Sequence, residues 1–289
     1  MRRLDCSAFD STALLDACVG ELDAQADVDR FVAARADLVQ DYEEYATLAK
    51  RRELFSAQSF LHGNADQIVR GAISKEDLTA LYSDIMVGKK GTARKVYDQL
   101  MALPAHSNCP YCGLGQVFTL DHFLAKSRYP QFSVLCENLV ACCETCNKIM
   151  SGGVATADNV ALHPYFEDVA VENTTWLTAT LNETAPASVT YSVAPGATWA
   201  PELTQRVRNH FGQLKLAARY AVAAANELAS NVDVLCLIGS SVDIQSHLAK
   251  WAQGLTQHSP NSWRAALYRA LAASDWYAEG GYGAHAGHC

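Results

Sequence analysis

The chain has 289 residues, 49% of them apolar and 19% charged, which is the balance of a folded globular protein with enough length for one large domain or a few small ones. Its net charge of −8 excludes a protein that coats nucleic acid through its overall field, while leaving local basic patches open. No apolar run reaches the roughly 18 residues of a membrane span, and the two arginines at the N-terminus precede no apolar stretch, so the chain is expected in the cytoplasm, off the membrane, with its cysteines reduced or metal-bound.

Residues 1–104 are expected to form a helical N-terminal region. From Asp10 to Arg52 there is no proline, and Gly20 is the only glycine. Leu14, Leu15, Cys18 and Val19, and then Leu38, Tyr42, Tyr45, Leu48 and Ala49, recur at helical spacing. That stripe reads as core packing, with a partner-docking surface as the second reading. A break is expected at His62-Gly63-Asn64. Ser74-Lys75-Glu76-Asp77 has the form of a capping box ahead of Leu78, Leu81 and Ile85. The run from Gly88 to Tyr97 is the densest in cations, with Lys89, Lys90, Arg94 and Lys95. It reads equally as a solvated helix start and as a phosphate-contacting patch.

Residues 105–165 carry the chemistry. Cys109-x-x-Cys112 and Cys143-x-x-Cys146 are two knuckles of the kind that brings paired thiolates to one zinc ion. Cys142 competes with Cys143, but only Cys143 gives the two-residue spacer. Four cysteine ligands leave no open coordination position, so this Zn²⁺ is expected to be structural. Between the knuckles, Gln116–Leu120 reads as a strand closed by Asp121-His122. Phe123–Ser133 reads as a loop with Lys126, Arg128 and Pro130, Asn138–Ala141 as a returning strand, and Glu144–Met150 as the start of a helix.

Residues 166–289 are expected to hold a hairpin and helices. Trp176–Leu181 and Ala187–Val193 are the strands, separated by a turn-rich segment. One long helix is expected over 200–230, a second near 241–252, and a third after the Asn261-Ser262 cap. His285, His288 and Cys289 in the glycine-rich tail read as an incidental metal-binding group. His163 reads as a core histidine ahead of a metal or phosphate contact; His106 and His210 read as packing or surface residues.

The order strand, loop, strand, helix, with Leu120-Asp121-His122, Glu137-Asn138-Leu139 and Cys143-x-x-Cys146-Asn147 after Cys109-Pro110-Tyr111-Cys112-Gly113, resembles the HNH endonucleases of the ββα-metal fold. The resemblance spans about 45 residues, and implies an α+β, mostly helical chain around a central ββα-metal module with a small hairpin after it. It also implies hydrolysis of phosphodiesters in DNA, or less readily RNA. His122 would be the general base. Asp121 and Asn147 would hold a catalytic Mg²⁺ or Mn²⁺, and Asn138 would fix the loop that carries His122. Lys126, Arg128 and Lys148 would contact phosphates. Met150 stands where many members have a basic residue, which puts the detailed phosphate contact in question. The flanks, GKKGTARKVYDQL, HPYFEDV, RNHFGQL and SWRAALYRAL, are similar to HNH proteins paired with a partner ATPase in Septu- and retron-type anti-phage systems. The other class of reading is a non-catalytic zinc module that binds nucleic acid or protein; it needs the cysteines but not Asp121, His122 or Asn147.

Overall fold

The computed structural model describes residues 1–150 and 153–283. Ser151 and the tail residues His285, His288 and Cys289 lie outside them. The chain forms two compact units, Arg2–Glu167 and, together with Met1, the segment from Asp168 onward.

In the first unit, α1 (Ser11–Gly20) starts at Asp10, whose Oδ1 accepts from the amides of Thr12 and Ala13 and so satisfies two of the unpaired N–H groups of the first turn. Helix α2 (Gln25–Arg51) buries Phe31, Ala34, Leu38, Tyr42, Tyr45 and Ala49 along one face, as the spacing predicts. It stops at Arg52, in the left-handed region at φ 62°. A short antiparallel pair, β1 (Ile68–Arg70) and β2 (Ile73–Ser74), leads into α3 (Lys75–Ala80). The capping box forms as expected: Ser74 Oγ accepts from the Asp77 amide, and Asp77 Oδ2 accepts from the Ser74 amide. Asp77 also receives Arg30 of α2, which ties the two helices together. Without a break α3 passes into a stretch of π-helix, Leu81–Val87.

Helix α4 (Thr92–Met101) follows, and then β3 (Thr119–His122), β4 (Leu139–Cys142) and α5 (Glu144–Met150). The strands are antiparallel, with Asp121 opposite Val140 and His122 opposite Leu139. Strand β3 starts later than the sequence predicts. Gln116 makes only an isolated bridge to Asn108, and Phe118 is 73% exposed, so the segment before Thr119 lacks the burial that would extend the strand.

The helical region and the metal module share one core. Helix α1 packs on α2 and α4, α4 on both β3 and β4, and α5 on β3. The reason is physical: a two-stranded sheet with one short helix cannot cover the apolar residues of β4, all of which are buried.

In the second unit, α6 (Ala170–Asn173) precedes the predicted hairpin of β5 (Leu177–Asn182) and β6 (Ser188–Val193), in register from Leu177 against Val193 to Asn182 against Ser188. The single helix expected over 200–230 is two, α7 (Pro201–Gln213) and α8 (Leu216–Ile238). The break is Lys215, at φ 52°, a conformation no α-helix continues through. Helices α9 (Ser241–His258), α10 (Trp263–Ala272, capped by Ser262) and α11 (Asp275–Ala278) complete the unit. Buried Asn261 accepts from the amides of Trp176 and Leu177 and donates to the carbonyls of Val171 and Thr174, fastening α10 to the start of the hairpin.

Among the described residues α8 alone is long and apolar enough to cross a membrane. It carries Arg219, Glu227 and Asp233, buries Tyr220, Ala224, Leu228, Val232 and Leu235 within this unit, and leaves Val222, Val234 and Leu237 exposed. Cys6, Cys18, Cys136 and Cys142 are free thiols as expected, whereas Cys236 is disulfide-bonded, contrary to that expectation.

Candidate metal and active site

The two knuckles converge. Cys109, Cys112, Cys143 and Cys146 are buried, and their sulfurs lie within 4.8 Å of one another. Four sulfurs at about 2.3 Å from one tetrahedral ion stand roughly 3.8 Å apart, and Cys112 Sγ is 3.8 Å from Cys143 Sγ. The cluster can therefore hold a structural metal such as zinc. The first knuckle is closed by Cys109 N to Gly115 O and Gly113 N to Cys109 O, with the Leu114 amide directed at Cys112 Sγ. Gly113 sits at φ +64°. At Gly115 a Cβ would meet Cys143 Cβ at 2.6 Å, so only glycine lets the knuckles approach this closely. Cys142, the last residue of β4, is buried but lies outside the cluster.

Asp121 and His122 end β3 and are both buried, at 3% and 7% exposure. The Nε2–H of His122 donates to the Ser133 carbonyl at 2.9 Å, an oxygen that can only accept. That bond fixes the tautomer and leaves Nδ1 as the basic nitrogen. Burial lowers the imidazole's pKa to about 3, an effect only partly offset by the Ser133 bond and reinforced by Lys126, so the ring is neutral at physiological pH. Burial also pushes Asp121 well above the usual carboxylate range, and its Oδ2 has no hydrogen-bond partner. A buried carboxylate oxygen without a donor is a costly arrangement unless a cation accompanies it, and such an oxygen suits a hard divalent ion.

The loop between the strands is held from inside by Asn138, which is fully buried. Its Oδ1 accepts from the Leu124 amide at 2.7 Å and from the Tyr45 hydroxyl at 3.2 Å, and its Nδ2 donates to the carbonyls of Leu124 and Phe132, each at 3.1 Å. Ser11 adds a tie from α1, accepting from the Cys136 amide at 3.0 Å and donating a short hydrogen bond to Glu137. His163 is a core histidine. Its Nδ1 accepts from the Tyr165 amide, so its Nε2–H faces the Tyr45 hydroxyl at 3.0 Å, and its ring lies 4.0 Å from that of Phe123. Burial lowers its pKa to about 3.

The π-helical stretch supplies Tyr82. Its hydroxyl donates to Leu120 O at 3.1 Å, and its ring meets that of His122 edge-on at 4.4 Å. Lys126 Nζ lies over the same ring at 4.7 Å. An extra residue per turn is a frequent device for aiming a side chain at a functional site. Neither Tyr82 nor the Tyr45 to Asn138 bond is signalled by any motif, though Tyr45 lies in the predicted apolar stripe.

The remaining predicted residues are spread around this centre. Asn147 is half-buried on α5, directly after Cys146, and its amide bonds to Cys143 O. Arg128 is half-buried, with its Nε buried and unbonded, and its carbonyl receives the Phe60 amide. Lys148 is 73% exposed and pairs with Glu144 one turn earlier. In the basic run, Lys89 bonds Asp23 and Arg94 bonds Asp98, while Lys90 and Lys95 are exposed. His106 is exposed and His210 is buried.

Over 297 aligned positions, 97% of this chain and 100% of the other, the sequence is 28% identical to protein ea31 of Escherichia phage lambda. The similarity spans both units. No protein-family model and no solved structure matches the chain.

Proposed function

We propose that the chain is a metal-dependent endonuclease that hydrolyses phosphodiester bonds in DNA, and less readily in RNA. The observation that carries this reading is the pair at the end of β3: a neutral, tautomer-fixed His122 with Nδ1 available, next to an Asp121 whose buried Oδ2 has no partner. Asp121 and Asn147 would hold one Mg²⁺ or Mn²⁺, an ion that when bound neutralises phosphate charge and stabilises the leaving oxygen. His122 takes a proton from the attacking water at Nδ1, and its Nε2 bond to Ser133 holds the ring in place through the transfer. An anionic phosphate beside the ring raises its proton affinity from the low value that burial sets. Asn138 keeps the loop that contributes the Ser133 carbonyl in one conformation. Lys126 and Arg128, on that same loop, contact phosphates.

A partner ATPase belongs to the same proposal. The net charge of −8 gives the chain little general hold on a polyanion, so a partner would supply part of the grip. In this reading the chain is the nuclease of a two-component anti-phage system.

The test is cleavage of plasmid DNA and of RNA with Mg²⁺ or Mn²⁺, with and without a partner, by the wild type and by His122→Ala. Cleavage by the wild type alone supports the reading. Equal cleavage by both removes His122 as the base. No cleavage by either under any of these conditions leaves the non-catalytic zinc module as the better account.

A further inference from the structure

Beside the loop that follows β3 lies a cavity of about 480 Å³, within the size of small-molecule sites. It is bounded by the turn at 62–65, by one side of α3 and its π-helical extension, with Thr79 and Ser83, and by Lys126 and Ser127 of the loop. The walls are fastened to one another. The Phe60 amide donates to Arg128 O, Gln131 Nε2 donates to Gln58 O, and Lys75 Nζ donates to the carbonyls of Leu61 and Gly63. The recess is therefore built into the fold of this unit.

Its chemistry is polarised. Lys75 spends its ammonium on backbone carbonyls, so the cation left for a ligand is Lys126. Among the described residues Lys126 makes no salt bridge, although the Asp84 carboxylate acts on its charge; its Nζ sits over the Tyr82 ring at 4.7 Å, and the same ring meets His122 at 4.4 Å. The ammonium end of the cavity is thus one aromatic ring away from the base. The rest of the lining offers hydroxyls from Thr79, Ser83 and Ser127, the amide of Asn64, the imidazole of His62 and the carboxylate of Glu76. A cation at one end and hydrogen-bond donors and acceptors over the rest, Glu76 among the acceptors, match one phosphate joined to one nucleoside.

We propose that this cavity is the subsite for a single unstacked nucleotide of the substrate strand, with its phosphate on Lys126 and its base in the recess. This rests on the endonuclease reading. A base stacked in a duplex cannot enter, so the preferred substrate is single-stranded or locally unpaired nucleic acid. Thr79, Ser83 and Asn64 lie outside the region of HNH resemblance, and the selectivity they add belongs to this chain's own helical region.

The experiment uses the full chain with Mn²⁺ and three end-labelled oligonucleotides of one sequence: single-stranded, fully paired, and paired with a central bulge. The expected kcat/KM for the single-stranded and bulged forms is at least about tenfold above the paired form. Thr79→Phe, which fills the recess, and Lys126→Gln are each expected to raise KM for the single strand about tenfold, with kcat of Thr79→Phe within about twofold of the wild type. Zinc content and circular dichroism check that each variant folds; if Thr79→Phe does not fold, Lys126→Gln decides. A paired substrate cut as fast as the others, or folded variants with wild-type KM, overturns the proposal. Binding of a single strand carrying 2-aminopurine to His122→Ala is read separately by fluorescence. If the wild type cuts nothing, the endonuclease reading fails, and loss of the 2-aminopurine signal in the Thr79→Phe background still decides the subsite.

Discussion

Replacing Asn138 with alanine tests whether the loop carrying the candidate site is held by one side chain. The amide makes four hydrogen bonds, to Leu124 N, Leu124 O, Phe132 O and the Tyr45 hydroxyl. After truncation, Tyr45 retains an acceptor in the Glu137 carbonyl at 3.3 Å and Phe132 O retains the Leu135 amide at 3.4 Å, but the amide and the carbonyl of Leu124 lose their partner. A buried polar group left without a partner costs about 1–3 kcal/mol, so two cost about 2–6 kcal/mol, less whatever a water entering the vacated space returns. Tyr45→Phe leaves Oδ1 still accepting from Leu124 but also removes the hydroxyl that His163 Nε2–H faces, so it costs about 1–3 kcal/mol.

Urea unfolding followed by tryptophan fluorescence and by zinc release separates these cases. The loss in Asn138→Ala is expected in the transition that releases zinc, because Asn138 lies in the unit Arg2–Glu167 with the four cysteines. Asn261→Ala is the internal control. It strips an amide of the same four-bond inventory from the other unit, at a similar cost, and leaves the zinc-releasing midpoint unchanged. Folded Asn138→Ala is also expected to lose cleavage while keeping its zinc. A cost below about 1 kcal/mol for Asn138→Ala would refute the argument, since it would mean the loop holds its shape without the amide.

Cys146→Ser is expected to abolish zinc retention, and cleavage with it, because Asn147 is bonded directly to that ligand; metal content by mass spectrometry and a plasmid assay check both, and full cleavage by a zinc-free protein would refute the coupling. His163 gives a pH prediction. Its folded pKa of about 3 lies below the ordinary 6.5, so the unfolded chain binds a proton that the folded chain does not. The stability it supports is complete above about pH 6.5 and is lost as pH falls toward 3, at up to about 1.4 kcal/mol per pH unit, or roughly 2 kcal/mol between pH 7 and pH 5. Urea midpoints at those two pH values should therefore fall less in His163→Gln than in the wild type, and parallel losses in the two proteins would count against a neutral buried imidazole.

The candidate metal-binding and active-site residues were legible in the sequence because their spacing is local. Cys109 with Cys112, Cys143 with Cys146, and the adjacent Asp121 and His122 are short-range patterns with few alternative explanations. The capping box at Ser74 and the hairpin around residue 185 were legible for the same reason. The split between α7 and α8 was not, because Lys215 is an ordinary helix former, and its left-handed conformation is a tertiary outcome that propensity does not encode. Tyr45 and Tyr82 illustrate the limit further. Tyr45 reads as one more apolar position of α2, yet it reaches Asn138 across 93 residues of sequence; Tyr82 reaches Leu120 across 38.

These long-range ties explain why the helical region folds with the metal module rather than beside it. The module's two strands and one helix fix the order of the candidate groups, but not the environment that makes them useful. Burial of His122 depends on Tyr82 from the π-helical stretch, the hydrogen bonds of Asn138 are completed by Tyr45 from α2, and the turn before β4 is tied by Ser11 from α1. The four-cysteine cluster therefore sets where Asn147 begins, while three elements outside the HNH-like segment set the burial and rigidity of the candidate site. An excised module spanning residues 105–165 would bind metal at its four thiolates but leave His122 accessible to water, and its imidazole would titrate near the ordinary value instead of near 3.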